Sequence, residues 1–400
     1  MKKVAFLYAT FPRPTETFVR RELRALAEYA FWPDIYSIWR GKHTWENREV
    51  HTFNLWKLFL LVYWIPYWFF KKPLECKEVL SYLWANSCHS LQNWSETFLG
   101  LGFALVEAGN FKKKDYHLIH AVWATLPATA AFTISKLVGI EFSMGAHAYD
   151  VFRHGGDWLL HKKLTAARFV RTSSESTANR LNQLGVESKD VKLIKRSLSV
   201  WPQRKHFHLV HPGKLTLLSV GRLVEKKGYF HMLSIASLLK KSEIPFYLQI
   251  VGDGPLKRDL MIERRRLGVE KMVSFSGSLN QKSVRQLYLE SDAFLFTGIV
   301  DSRGDRDGIP NVVPEALAGG MLVLASDRAG APEAFTDGKS GFSMDPEKPE
   351  SWVRLLKSFW ESPQKYEQVR KNAQLEVREN FDSSNNGFKL LRSYTNSKSE

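Results

Sequence analysis

Two carboxylates, Asp307 and Glu315, stand with seven residues between them in the run Gly304-Asp305-Arg306-Asp307-Gly308-Ile309-Pro310-Asn311-Val312-Val313-Pro314-Glu315. Between them a polar, glycine-bearing loop gives way to an apolar, alanine-rich stretch that reads as a helix. Pro310 suits its first turn, where a missing N–H costs nothing. A helix start of this kind offers backbone N–H groups and a partial positive charge to a phosphate. Carboxylates beside it accept hydrogen bonds from sugar hydroxyls. A nucleotide sugar is one molecule that carries both groups, a diphosphate and many hydroxyls.

A second cluster lies upstream. Ser219-Val220-Gly221-Arg222-Leu223-Val224-Glu225-Lys226-Lys227-Gly228 follows one apolar run and opens another. Glycine at such a turn lets backbone or ligand approach closely. Arg222 and Lys227 are placed to neutralise a diphosphate leaving group; a solvated basic helix start fits the same residues. Gly252-Asp253-Gly254-Pro255 and Asp327-Arg328-Ala329-Gly330 repeat the strand–turn–helix pattern. Each loop alone is ordinary.

The elements that must position these loops are legible as alternating short apolar and longer amphipathic runs. Strands are expected near 4–9, 35–39, 117–122, 141–145, 169–173 and 191–194, with helices at 15–30, 127–138 and 174–184. The alternation restarts at 215 with strands at 215–220, 246–251, 273–275, 293–297 and 321–325. Such alternation argues for parallel sheets with helices on both faces, here as two doubly wound α/β units. The expected division is 1–196, a linker at 197–213, a second unit at 214–380 and a tail at 381–400 that packs back on the first unit. A chain of 400 residues suits two domains.

The net charge of +16 fits an anionic partner, but no nucleic-acid module is present. Two cysteines, Cys76 and Cys88, do not make a disulfide framework. The apolar start, residues 4–9, is short and meets Pro12-Arg13-Pro14, so it reads as a buried strand rather than a signal peptide.

Taken in order, the four loops from 215 to 345 resemble the donor half of retaining glycosyltransferases of family 4. Their signature reads Glu, seven residues, Glu; here Asp307 replaces the first Glu. The resemblance implies a GT-B fold, two facing Rossmann-like domains with a cleft between them. It implies that Arg222 and Lys227 bind the donor diphosphate and that Glu315 binds the ribose. Asp307 then binds the transferred sugar, with the N–H groups of Gly308 and Ile309 near it. Gly221, the Gly252–Gly254 turn and Ser278 complete the donor site. Aspartate is a methylene shorter than glutamate, so either the backbone adjusts, or the sugar differs, or Asp307 only caps the helix.

The N-terminal half is similar to the colanic acid and exopolysaccharide subgroup through residues 5–18, where Thr15 and Glu16 take the place of a glycine pair. Phe142-Ser143-Met144-Gly145-Ala146-His147-Ala148-Tyr149-Asp150 resembles the family's histidine loop. By that resemblance His147 lies by the reacting sugar and Asp150 near the acceptor. No histidine has partners at metal-ligand spacing, so neither metal nor cofactor is expected.

Residues 53–70 are half Phe, Tyr or Trp, interrupted by Lys57 and Pro66 and followed by Lys71-Lys72-Pro73. This aromatic insertion at 53–73 has three readings: interfacial insertion, a buried core hairpin, or a membrane span. The first leads to a peripheral protein on the inner, cytoplasmic face of the cell membrane. It would use a UDP- or GDP-sugar and an acceptor borne on polyprenyl diphosphate or on a growing surface polysaccharide. A membrane-associated binding or scaffold protein that kept the fold without turnover is the alternative.

Overall fold

The computed structural model describes residues 2–13, 16–88, 90–198, 201, 204 and 207–396. The chain forms two compact units, Met1–Ser197 with Ser383–Glu400, and Leu198–Asp382.

In the first unit the strands are β1 (Val4–Tyr8), β2 (Asp34–Ser37), β3 (Thr44–Trp45), β4 (Arg48–Thr52), β5 (Leu118–Ala121), β6 (Phe142–Gly145), β7 (Val170–Thr172) and β8 (Val191–Leu193). They lie in the order β3-β4-β2-β1-β5-β6-β7-β8. All neighbours are parallel except the β3–β4 hairpin. Every residue of β1, β5 and β6 is buried. Helices cover both faces of a parallel sheet, which is why β1 is wholly apolar and why the one polar residue in each of β5 and β6, His120 and Ser143, is bonded to the other at 2.9 Å. The helices are α1 (Thr17–Ala27), α2 (Leu61–Lys71), α3 (Pro73–Ala85), α4 (Leu91–Lys114), α5 (Leu126–Val138), α6 (Ala148–Phe152), α7 (Leu160–Ala166) and α8 (Glu175–Gln183).

The long insertion between β2 and β5 is largely helical. Ser90 caps α4 by accepting the Asn93 N–H at 3.1 Å, and Lys112, Lys113 and Lys114 sit in the last turn, where cations complement the helix dipole. Gly100 lets α4 close on α5; a Cβ there would lie 2.9 Å from the Leu126 carbonyl oxygen. A 3₁₀ turn, Leu55–Leu60, leads into α2, which lies along α4. Trp68 Nε1 donates to the Leu105 carbonyl at 2.8 Å, and Lys57 pairs with Glu107 at 2.7 Å. The other side of this segment is exposed, Val62 at 84% and Phe70 at 94%, so the segment packs on the core along one side alone. Among the described residues no helix is long and apolar enough to cross a membrane.

The second unit carries β9 (Leu215–Val220), β10 (Phe246–Val251), β11 (Val273–Phe275), β12 (Ala293–Phe296), β13 (Leu322–Ser326) and β14 (Phe342–Met344) in one parallel sheet ordered β11-β10-β9-β12-β13-β14. Its helices are α9 (Tyr229–Lys241), α10 (Lys257–Arg266), α11 (Gln281–Glu290), α12 (Val312–Ala318), α13 (Pro349–Glu361) and α14 (Glu367–Phe381). Strand order reverses between β9 and β12. Open α/β sheets bind ligands beyond the carboxyl ends of the strands at such a switch point.

The sequence marks 197–213 as linker; of its described residues, Ser197 belongs to the first unit and those from Leu198 on to the second. The Leu198 N–H donates to Phe381 at 2.8 Å, and the buried Arg370 donates to the Phe207 carbonyl at 2.7 Å. The final helix, α15 (Ser383–Thr395), belongs to the first unit and packs on α1. Tyr394 buries its ring there against Phe6 and His120.

Candidate functional site

In the second unit, the loops after β9 and β12 meet at the switch point. Gly228, at φ 65°, makes the approach possible: a Cβ there would fall 1.8 Å from the Thr297 carbonyl oxygen. Thr297 Oγ1 returns a hydrogen bond to the Gly228 carbonyl at 2.9 Å. This contact brings two lysines onto two carboxylates. Lys226 Nζ lies 3.0 Å from Asp305 and 3.6 Å from Asp307, and Lys227 Nζ lies 2.7 Å from Asp307. Lys226 and Asp305 are buried. Removing one partner of such a pair costs about 3–5 kcal/mol, because the other charge stays behind unpaired.

The loop carrying Asp307 is fastened at several points. Asp301 accepts the N–H groups of Arg303 and Asp305, each at 2.9 Å, and Glu225 holds both the N–H and the hydroxyl of Ser302 at 3.0 Å. The Asp307 carbonyl accepts the Gly330 N–H at 3.0 Å. Gly330 has no room for a side chain, since a Cβ would lie 2.7 Å from the Gly308 carbonyl carbon. Ile309 is buried in the core beside α12, so the aspartate sits on a fixed backbone rather than a free loop.

Helix α12 begins at Val312; Pro310 precedes it in a turn closed by the Val313 N–H on the Pro310 carbonyl at 3.0 Å. Glu315, in its first turn, accepts a hydrogen bond from the hydroxyl of Tyr288 of α11 at 3.1 Å. Nothing in the spacing of residues singles out Tyr288, because its partner is 27 positions away. Gly221 and Gly252 are in close contact; a Cβ on Gly252 would fall 1.9 Å from the Gly221 carbonyl oxygen. The Gly252 N–H donates to Gly277 at 2.8 Å, which brings the neighbouring Ser278 loop, exposed, to this end of the sheet. Gly254 packs on Leu223. Arg222 is exposed and in no ion pair among the described residues. Lys227 is engaged by Asp307, so the two cations expected to share one task are held differently.

In the first unit, His147 follows β6 and caps α6. Its N–H donates to Asp150 at 3.2 Å, and its ring packs edge-on against Trp123 and Phe18 at 5.0 and 5.9 Å. Neither ring nitrogen has a hydrogen-bond partner of good geometry among the described residues. Burial, with Arg196 and Arg171 nearby, holds the ring well below the ordinary histidine value, so it is neutral at pH 7.

Asp150, expected near the acceptor, is held by backbone donors of its own unit. It is buried, and its carboxylate accepts the N–H groups of Ala124 at 2.8 Å and His147 at 3.2 Å. Burial pushes it up to about 7 against those donors. Lys163, fully buried and paired with Asp157, donates to the Ala124 carbonyl at 2.6 Å. The Ala124 peptide is thus gripped from both sides, next to the tryptophan that packs on His147. Asp150 and Lys163 are positioning residues for this loop. Glu16 is mostly buried, 3.5 Å from Arg13, and burial raises its carboxyl; Thr15 lies outside the described residues.

Among the described residues no group of three or more His, Cys, Asp or Glu side chains is placed to hold a metal ion.

Residues 203–376 match the family of glycosyl transferases group 1. The putative colanic acid biosynthesis glycosyltransferase WcaL of Salmonella typhimurium is 23% identical over 377 residues, covering 89% of this chain and 90% of that protein. The amylovoran biosynthesis glycosyltransferase AmsK of Erwinia amylovora is 33% identical over 128 residues, about a third of either protein. A crystal structure of Anabaena Alr3699/HepE in complex with UDP superposes with a TM-score of 0.70 at 16% identity, covering 98% of this chain and 99% of that one. That likeness shows the fold. The chain has the GT-B fold, its residues 203–376 form a glycosyl transferases group 1 domain, and over most of its length it is similar to glycosyltransferases of exopolysaccharide biosynthesis.

Proposed function

We propose that this chain is a family 4 glycosyltransferase that moves a hexose from a nucleotide-diphosphate donor, with retention and without a metal ion. Its acceptor is a lipid-linked or growing surface polysaccharide. It works as a peripheral protein on the inner face of the cell membrane. The observation that carries the donor assignment is the set of two lysines and two aspartates at the switch point, framed by the loops of Gly221, Gly228 and Gly252.

In this reading the donor enters by exchange. Lys227 releases Asp307 to take a diphosphate oxygen, and Asp307 turns to a sugar hydroxyl. Lys226, 3.6 Å from Asp307, keeps the carboxylate charge-balanced. Arg222, exposed on the preceding loop, adds a second cation to the diphosphate. The bond from the sugar's anomeric carbon to phosphate oxygen breaks as the acceptor oxygen bonds that carbon from the same face. The acceptor proton leaves with the nucleoside diphosphate. Cations fixed before reaction stabilise that growing charge. Glu315, oriented by Tyr288, takes the ribose hydroxyls.

Crystal structures of the fold relative HepE hold UDP, UDP with glucose, and UDP-glucose, so uridine diphosphate sugars are the first donors to test, followed by guanosine ones. The experiment is nucleotide release from each donor with membrane extract as acceptor and EDTA present. Release of a nucleoside diphosphate supports the reading. Vesicle binding without release from any donor selects the non-catalytic binding protein.

A further inference from the structure

Most of the exposed large apolar side chains among the described residues fall between 56 and 98. Those of the 3₁₀ turn and α2 belong to the aromatic segment already considered. A second group does not. Leu80 and Trp84 stand one turn apart on α3, and Leu91, Trp94 and Phe98 occupy the start of α4. Trp84 is 94% exposed, Leu91 82% and Trp94 49%. Trp84 and Leu91 bury almost nothing and so add little stability to the monomer, and contiguous exposed apolar surface marks an interaction site.

The helical spacing shows how the two groups relate. Leu91, Trp94 and Phe98 lie on one stripe of α4 whose next members are Gly102 and Leu105, at intervals of three and four. Leu58 packs against the Gly102 position, and Trp68 bonds to the Leu105 carbonyl. The preceding 3₁₀ turn and α2 thus cover the downstream part of the stripe and leave its upstream part bare. The bare part is held rigidly: Trp94 and Phe98 rings are 4.7 Å apart, and Phe98 meets Trp158 at 6.1 Å. Trp158 Nε1 donates to the carbonyl of Asn86, at the end of α3, at 2.9 Å.

We propose that the uncovered face of α3 and the start of α4 is a second part of the bilayer-docking surface, continuous with α2. The occupant is a bilayer containing anionic lipid. Two features select it over another protein. Trp84 and Leu91 stand almost fully out from the unit, and tryptophan favours the headgroup layer. Lys71 and Lys77, at the junction of α2 and α3, are exposed and in no ion pair among the described residues. Such cations add about 1 kcal/mol each near anionic headgroups.

The surface has a consequence for the reaction. Gln92, one residue from Leu91, donates to Tyr149 at 2.9 Å and accepts from Arg153 at 3.0 Å. Tyr149 is two residues beyond His147. Docking by this face brings the His147 loop close to the headgroup layer, where the sugar of a lipid-borne acceptor would stand. The inference rests on the peripheral reading above.

The test is co-sedimentation with phosphatidylcholine vesicles, with and without phosphatidylglycerol, on three proteins of matched melting temperature. These are the wild type, a Trp84→Ser/Trp94→Ser/Phe98→Ser variant, and a Phe59→Ser/Phe70→Ser variant. We expect each variant to bind the anionic vesicles about tenfold more weakly than wild type, a change of about 1.4 kcal/mol. If the α3–α4 variant binds as wild type while the Phe59/Phe70 variant does not, docking stands and this extension of it fails. If the wild type does not bind at all, both fall. A wild-type dimer in sedimentation velocity that the α3–α4 variant alone abolishes, with vesicle binding unchanged, assigns the face to a second copy and overturns the proposal.

Discussion

Glu315 and Glu333 are both glutamates in a first helical turn, and Glu315 accepts a hydrogen bond from the buried Tyr288 of another helix. If Glu315 holds the ribose, Glu315→Ala lowers kcat/KM for the donor by roughly 10- to 100-fold, the worth of a hydrogen bond to a charged group at about 1.5–3 kcal/mol. Glu333→Ala leaves it within about twofold, as expected of a group away from the ligand. Equal losses in a nucleotide-release assay would contradict the assignment. Asp307 was a doubtful residue on spacing alone, because a carboxylate before a helix is as readily a cap as a ligand. The structure places it on Lys227 at 2.7 Å instead, a pairing of residues 80 positions apart that no local pattern reveals.

A second residue-scale outcome concerns pH. His120 is buried, shares a hydrogen bond with Ser143 at 2.9 Å, and burial with Arg171 nearby holds it down to about 3. Its ordinary value is 6.5. Between those values the unfolded chain binds a proton that the folded one does not. Stability from this group is therefore complete above pH 6.5 and is lost as pH falls toward 3, at up to about 1.4 kcal/mol per pH unit. His147 adds in the same direction. Asp150, raised to about 7, acts oppositely: its contribution is lost as pH rises toward 7. Melting temperatures of wild type and His120→Gln between pH 7.5 and about 5 should converge as pH falls, since only the wild type carries the His120 loss. Parallel curves would show that His120 is protonated in the folded state.

At the scale of elements, the strands and the helices flanking them were legible because parallel strands buried on both faces are near-continuous apolar runs. The insertion was not legible. Its helices α3 and α4 have apolar residues on more than one side, since α4 packs on α5 and α2 while part of it faces solvent, and a single stripe does not stand out. Ser90 before Leu91 and the lysines of 112–114 were the available signals for α4. The glycines were read correctly as turns, but what they avoid is visible only in space. Gly228→Ala places a Cβ 1.8 Å from Thr297 O in a left-handed backbone. We expect it to destabilise the second unit by about 2–4 kcal/mol through combined strain and overpacking, whereas Gly109→Ala, with open space around it, should be neutral or better in the same denaturant titration. Asp150→Ala removes a carboxylate that fixes two N–H groups; it should lower the stability of the first unit by about 1–3 kcal/mol. Turnover should fall further than stability explains, a difference measured by assaying well below the melting temperature.

For the whole molecule, the two-unit α/β architecture followed from length and alternation. Two features did not: Leu198 and Phe207 are bonded to α14 of the second unit, and an aromatic helix sheathes α4. Each depends on contacts between residues far apart in sequence. The metal-independent proposal belongs to this scale too, because it assigns charge neutralisation to Arg222 and Lys227 on a chain of net charge +16. Turnover should survive EDTA, and restoration only by a divalent ion would transfer that role to a metal. Vesicle binding should weaken with salt without vanishing, since screening removes the lysine contribution and leaves the aromatic one.

The central claim is that this chain transfers sugar from a nucleotide-diphosphate donor held by the cations of its second unit. It is tested most directly by nucleotide release from UDP- and GDP-sugars with membrane extract, comparing wild type with Arg222→Ala and Lys227→Ala at matched fold. The account predicts release of nucleoside diphosphate by the wild type. It predicts a fall of about a hundredfold or more in each variant, as expected for loss of a group that acts on charge growing in the transition state. Turnover that persists in both variants would contradict it.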